Sequence, residues 1–241
     1  MYFISDVHLG LGSSEEEREK ELRLVKFLDH LPNDASQLFI VGDLFDAWFE
    51  YRTVIPKGFH RLFVALEDLS SKGVLIHYLA GNHDYWIRDF FPEHLGMKTY
   101  HDAFDIVVDG KKIHIHHGDG LASNDTGYRI LKKILRNRLN IWLYSWLHPD
   151  IGIPLARSSS RKSRHHTSSK TFGEDDNMVR YAQEKINEGY DFVIMGHRHQ
   201  PVRKELGSGI YINLGDWITH NTYAELQNGE IALKCWETSQ P

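Results

Sequence analysis

The 241-residue chain has a single cysteine, Cys235, so no internal disulfide can form, which fits a reducing compartment. It has no apolar run approaching the ~20 residues of a spanning helix. A first strand beginning at Met1 or Tyr2 leaves no room for a secretion signal. The expectation is a cytoplasmic protein, with contact to a membrane surface at most peripheral. Positive charge is also in short supply: 28 Lys and Arg against 33 Asp and Glu leave a net charge of −5, no basis for a general nucleic-acid binder. There is no internal repeat and no linker to a second domain, and the length suits one α/β domain spanning residues 1–241. What the chain has in excess is histidine, 16 residues, and imidazole is the commonest metal ligand. His30, His60, His94 and His101 lie outside any motif and read as surface or packing residues.

The histidines that matter follow short apolar segments. Met1–Ser5 reads as a buried strand ending at Asp6-Val7-His8. Ser13 and Ser14 cap a helix over about Glu15–Leu31, with Leu24, Phe27, Leu28 and Leu31 at helical spacing and an acidic first turn. Leu38–Val41 is a second strand, ending at Gly42-Asp43. A helix near Phe59–Ser70 leads to a third strand, Val74–Leu79, ending at Gly81-Asn82-His83-Asp84. This alternation predicts adjacent parallel strands with a site at their carboxyl ends. Asp109-Gly110 between Phe104–Val108 and Lys111–His116 signals a hairpin, whose second strand runs into His117-Gly118-Asp119. After a helix near Glu174–Glu188, the strand Asp191–Met195 ends at Gly196-His197-Arg198-His199, with Gly196 read as permitting the turn that lets both imidazoles face one cleft. An antiparallel end follows, Gly209–Asn213, Tyr223–Leu226 and Glu230–Lys234.

Two nearby cations need an anionic bridge and rigid oxygen and imidazole ligands. Asp43, alone on its strand end, is the best bridge. Asp6, His8 and one terminal histidine suit one ion; Asn82, His117 and the other terminal histidine suit the second. His114 and His116 read as structural, His116 because it should face away from His117. Asp46 reads as a supporting hydrogen-bond partner and Cys235 as inert.

In this order, Asp-x-His, Gly-Asp, Gly-Asn-His-Asp, His-Gly and Gly-His-x-His resemble the calcineurin-like metallophosphoesterase superfamily over the whole chain. The resemblance implies a four-layer α/β/β/α sandwich with two metal ions at the strand ends. It implies that Asp6, His8, Asp43 and His199 hold one ion and Asp43, Asn82, His117 and His197 the other, with a hydroxide attacking phosphorus in line. It gives His83 the task of stabilising the phosphoryl oxygens or protonating the leaving group, its ring oriented by Asp84.

Within the superfamily, Gly42-Asp43-Leu44-Phe45-Asp46-Ala47-Trp48, His117-Gly118-Asp119-Gly120, Asp125-Thr126-Gly127-Tyr128, Ser168-Ser169-Lys170 and Gly215-Asp216-Trp217 resemble the UDP-2,3-diacylglucosamine hydrolases of lipid A biosynthesis. That resemblance implies hydrolysis at the α-phosphorus of a UDP-linked two-chain glycolipid, giving UMP and a diacylglucosamine phosphate. It implies manganese as the metal and substrate contacts at Asp125 and Tyr128. The stretch of about 125–172 then reads as a helical lid insertion over the site. Tyr128–Leu147 looks like one helix, bearing Leu131, Ile134, Leu135, Trp142 and Trp146, and is followed by a basic, hydroxyl-rich loop. Each apolar residue taken singly reads as core; together they read equally as the wall of an acyl-chain groove. Arg157, Ser163, Arg164 and Lys170 are candidates for phosphate and sugar, or for attraction to anionic headgroups at the inner-membrane surface. No nucleic-acid or obligate protein partner is expected. One position departs from the hydrolase family, which carries Arg where this chain has His83, as the wider superfamily does. The alternative is therefore a metallophosphoesterase acting on another phosphate mono- or diester. A scaffold that has lost catalysis fits poorly, because every ligand position is filled.

Overall fold

A computed structural model describes residues 1–121, 126–167 and 177–237, the side chains of 126–129 and 161–167 excepted. Asp125 and Lys170 lie outside the described residues, as do the side chains of Tyr128, Ser163 and Arg164.

The first sheet is built from β1 (Tyr2–Ile4), β2 (Gln37–Val41), β3 (Leu75–Leu79) and β4 (Lys98–Tyr100), all parallel, with β10 (Thr222–Gln227) antiparallel to β1 and β11 (Glu230–Cys235) beyond it. The second is ordered β5 (Phe104–Val108), β6 (Lys111–His116), β7 (Phe192–Met195), β9 (Gly209–Leu214) and β8 (Pro201–Leu206). In it β6, β7 and β9 run parallel, and the two edge strands are antiparallel to their neighbours. The strand read near Gly209 thus joins β7 in this second sheet, while the closing hairpin joins the first.

Phe3, Phe39, Val41 and Leu79 of the first sheet pack between the sheets on Ile113, Ile115, Ile194, Ile212 and Leu214 of the second. On the outer face of the first sheet lie α1 (Ser14–Asp29), α2 (His60–Ser71) and α3 (Phe90–Leu95), with Leu24, Phe27, Leu62, Leu66 and Phe91 buried against Ile4, Ile40 and Tyr78. On the outer face of the second, α7 (Asn177–Asn187) buries Met178, Ala182 and Ile186 against Val193, Met195 and Tyr211. The four layers are those expected. Local chemistry sets their ends: Ser13 and Glu16 form a capping box at the start of α1, and Gly96 closes α3 in the left-handed conformation.

Between β6 and α7 stand α4 (Thr126–Leu135), α5 (Arg138–Tyr144) and α6 (Pro149–Thr167). Two expectations fail here. The single helix over Tyr128–Leu147 is broken, because Asn137 takes an extended conformation and its side chain accepts the backbone N–H groups of Leu139 and Asn140, capping a new helix. The basic, serine-rich stretch read as a loop is helical to Thr167, with Pro154 inside the helix. The apolar residues of this insertion are also not core. Leu131, Ile134, Leu139, Trp142, Trp146 and Ile151 are all exposed, Trp146 at 75%.

Candidate metal centre

The carboxyl ends of β1, β2, β3, β6 and β7 converge on one point, and backbone hydrogen bonds tie their exit loops together. Asp6 N donates to Gly42 O, His8 N to Asp43 O and Gly196 N to His117 O, at 3.0–3.1 Å. Close approach of these loops accounts for the glycines. A Cβ at Gly42 would collide with the His117 ring, one at Gly81 with the Asp43 carboxylate, and one at Gly196 with Ser5 and Asp6. Gly196 therefore makes room rather than supplying the turn. The left-handed backbone is adopted by His197 (φ 71°) and His199 (φ 57°) themselves, and equally by Asp6, His8 and Asp43.

The structure brings all seven proposed ligand positions together. His8 Nε2 and His199 Nε2 stand 3.1 Å apart, with Asp6 Oδ1 at 3.7 and 3.3 Å from them. His117 Nε2 lies 3.2 Å from Asn82 Oδ1 and 3.3 Å from Asp43 Oδ2. His197 joins His117 and Asp43 in a second cluster of ligand atoms. Asp43 Oδ2 is also 3.6 Å from His8 Nε2, so one carboxylate oxygen faces both groups, while Oδ1 accepts the His83 N–H at 2.9 Å.

These contacts fit a pair of cations. The Nδ1 of His117 is 2.9 Å from the Val41 carbonyl, which can only accept, so the ring proton belongs on Nδ1 and the Nε2 lone pair points inward. It meets Asn82 Oδ1 and Asp43 Oδ2, two more acceptors. Asp6 Oδ1 is buried with no hydrogen-bond donor, and two imidazole nitrogens oppose each other beside it. Lone pairs converging without protons is what a cation between them would relieve. Titration shows the same demand for positive charge in another form, since without a cation a proton on His117 partly fills the place. Burial alone would raise Asp43, but the charge of His117, then of His83, holds it well below the usual carboxylate range. Burial likewise opposes the lowering of Asp6 by His199 and His8. For His117, the Asp43 carboxylate overcomes burial and lifts the imidazole to about 10. Burial pulls His197 down to about 4.

One role differs from expectation. Asp84 does not orient the His83 ring. Its buried carboxylate accepts from Tyr78 Oη and from the N–H groups of Gly81 and Leu44, at 2.7 Å for the last two, and so fastens the β3 exit loop to the β2 exit loop. Burial, reinforced by the Asp43 charge, raises it to about 6. The His83 ring is held instead at Nδ1, by the Asp46 carbonyl and by Ser160 Oγ of α6, each at 2.9 Å. His83 also joins His8 and Asp43 in a third cluster of ligand atoms. Of the residues read as structural, His114 pairs with Asp105 and Tyr181, and His116 accepts from Gly118 N and packs on Tyr181.

The inserted helices lie over this centre. A cleft beside Asn82 and His83 is walled by Trp86, Leu131, Leu135 and Ser160. Arg157, half-buried on α6, lies outside that lining. Two anchors were not anticipated. Buried Asp119 pairs with Lys132 at 2.7 Å and Arg136 at 2.9 Å, and Trp86 Nε1 donates to Leu135 O at 2.9 Å. The spacing of Lys132 and Arg136, four apart on one helix face, was the available signal for the first. Ser160, within a run of three serines, offered none.

Compared with known proteins, residues 1–201 match the family model for calcineurin-like phosphoesterases. The chain is 34% identical to UDP-2,3-diacylglucosamine hydrolase of Porphyromonas gingivalis, covering 98% of this chain and 97% of that protein. It is 30% identical to the Haemophilus influenzae protein of the same name, with coverage of 96% and 97%. Among solved structures it is similar to an archaeal phosphodiesterase at 17% identity, covering 98% of this chain and 100% of that one, with a TM-score of 0.46.

Proposed function

Because the chain belongs to the calcineurin-like phosphoesterase family, we propose that it hydrolyses the pyrophosphate bond of UDP-2,3-diacylglucosamine, giving UMP and 2,3-diacylglucosamine 1-phosphate for lipid A biosynthesis. The observation that carries the reaction class is the Asp43 carboxylate facing two converging sets of acceptors. The substrate rests on likeness, over almost the whole length, to proteins of that name.

In this reading Asp6, His8, Asp43 and His199 hold one divalent ion and Asp43, Asn82, His117 and His197 the other, with manganese as the metal. When bound, such ions supply Lewis acidity toward phosphoryl oxygens and acidify water. The chain's own residues do the rest. Val41 O and the Asp84 network keep the ligands in place. His83, at the mouth of the centre, faces the phosphoryl group. Leu131, Leu135 and Trp86 supply the apolar wall that an acyl chain needs.

Residues 1–241 act as one catalytic domain, with about 125–172 as its lid. Residues 126–172 carry ten Lys or Arg against one acidic residue, Asp150, in a chain whose total is −5. Beside them Trp142 and Trp146 present bare apolar surface. Such a face suits the anionic cytoplasmic leaflet of the inner membrane, and no helix among the described residues is long and apolar enough to cross it. Of the contacts proposed from sequence, Ser163, Arg164 and Lys170 keep their assignment to phosphate and sugar, and Asp125 and Tyr128 theirs as substrate contacts. Arg157 is better placed for headgroups.

The test is phosphorus NMR of protein loaded with manganese and given UDP-2,3-diacylglucosamine in oxygen-18 water. Labelled UMP is expected, together with loss of at least about 100-fold in rate for Asp43→Ala, more than most supporting partners of a metal site cost. Turnover of a simple diester without turnover of the glycolipid would keep the reaction class and discard this substrate. His83, in place of the family's arginine, would then direct the search for another phosphate ester.

A further inference from the structure

Among the described residues, the insertion reaches the centre at Ser160. Ser160, buried on α6, places Oγ 2.9 Å from His83 Nδ1 across 77 residues of sequence. The Asp46 carbonyl stands 2.9 Å from the same nitrogen. Because a carbonyl oxygen only accepts, Nδ1 carries the ring proton, shared between Asp46 O and Ser160 Oγ, and Nε2 keeps the lone pair of a ring that clusters with His8 and Asp43. The His83 and His8 rings meet edge to face, centroids 4.8 Å apart, so rotating His83 would also press on His8.

From this geometry we propose that Ser160 is a positioning residue for His83: with the Asp46 carbonyl setting the tautomer, helix α6 fixes the rotation of the imidazole that meets the phosphoryl group. Resting on the phosphoesterase reading, this gives the insertion a second task, since a cover for acyl chains alone would leave the chemistry of a small substrate untouched. Here the lid completes the centre for every substrate. It also explains how an imidazole serves at this position. A guanidinium presents a fork of donors whichever way it turns, whereas an imidazole works from one nitrogen and must be held in one tautomer.

The experiment uses the full chain and bis(p-nitrophenyl) phosphate, which has no acyl chain to bind. Ser160→Ala should lower kcat by about tenfold, the lower end for loss of a supporting hydrogen bond at a metal site, with KM little changed and with Ser160→Thr restoring most of the rate. In a His83→Ala background, Ser160→Ala should cost nothing further. A full additional loss in that background would mean that Ser160 touches substrate directly and would overturn the proposal, as would an unchanged kcat in the single variant. A second readout needs no turnover. In nitrogen-15 NMR of the metal-free protein, the His83 ring should show the Nδ1–H tautomer with a proton protected from exchange. Ser160→Ala should speed that exchange and leave the His117 ring signal in place. An Nε2–H tautomer, or a His83 signal indifferent to the substitution, would overturn the proposal even if the wild-type protein cleaves no ester, an outcome that would instead count against the phosphoesterase reading.

Discussion

The strand-end centre and the inserted helices are held by different means. Around the centre, three of the side chains that face inward are fixed from behind: His117 by Val41 O, Asp43 by His83 N, and Asp6 by Ser5 Oγ and His197 N. Asp6, His8, Asp43 and His117 are all buried to within 2% exposure. Among the described residues, the insertion turns apolar side chains outward and touches the sandwich at points that include Lys132 and Arg136 on Asp119, the Leu135 carbonyl on Trp86, Ser160 on His83, and Tyr144 against the rings of Phe49 and Trp86. The geometry of the candidate centre therefore depends on two packed sheets, and the described part of the cover depends on separable contacts. Elements attached in that way belong to the low-stability end of a fold.

The largest effect that would sharpen the contrast is on substrate choice. Leu131→Asp and Leu135→Asp together should reduce glycolipid turnover about 100-fold, roughly tenfold for each lost apolar contact. Hydrolysis of a small chromogenic diester should stay within about twofold. Equal losses on both substrates would mean that the cleft wall also supports the centre.

A smaller effect is expected at the anchor. Asp119→Asn removes the charge that Lys132 and Arg136 share and should cost about 1.5–3 kcal/mol of local stability. It should appear as faster amide exchange over α4 and α5, with β2 and β7 unchanged. Burial opposes ionisation of Asp119, but His117, Arg136 and Lys132 outweigh it and hold the carboxyl low. Its contribution is therefore complete above the ordinary carboxylate range, near pH 4, and is lost as the pH falls below it. Protection of α4 should decline in the same direction in the wild type, and much less in the variant. Exchange that quickens equally throughout the sheets would erase the distinction between the two regions.

Smallest is the effect of Trp142→Glu with Trp146→Glu. Both side chains are more than half exposed, so folding stability should move by no more than about 0.5 kcal/mol. Partition onto anionic vesicles should weaken about tenfold. Retention of binding would leave those tryptophans without a lipid role.

The same contrast governs how much could be read from residue order. The candidate centre was legible because each proposed ligand follows a buried apolar run, and a carboxylate or imidazole at the end of such a run has few other reasons to be there. The elements that went unread lack that signature. Strand β8 begins at Pro201 and carries Arg203, Lys204 and Glu205 outward along a sheet edge, and β4 is three residues long. Helix α6 was hidden by its serines, which favour turns in isolation but here lie in a helix packed over the centre. Asp84 was misassigned because proximity along the chain pointed to His83, whereas its carboxylate folds back onto Gly81 and Leu44. Pairings such as Asp119 with Arg136 and Ser160 with His83 depend on how an insertion lies across a sandwich, which no periodicity encodes.

Among the described residues, nine other than glycine have positive φ, and five of them are Asp6, His8, Asp43, His197 and His199. Aspartate and histidine tolerate that conformation better than most side chains, yet each such residue still costs on the order of 1 kcal/mol. Natural drift in this family should feel that cost. A descendant released from hydrolysis gains by exchanging these positions for glycine or asparagine and becomes harder to unfold as it becomes inert. Raised thermal stability together with Gly or Asn at positions 8, 197 or 199 would then identify a lineage that has given up catalysis, before any substrate is tried.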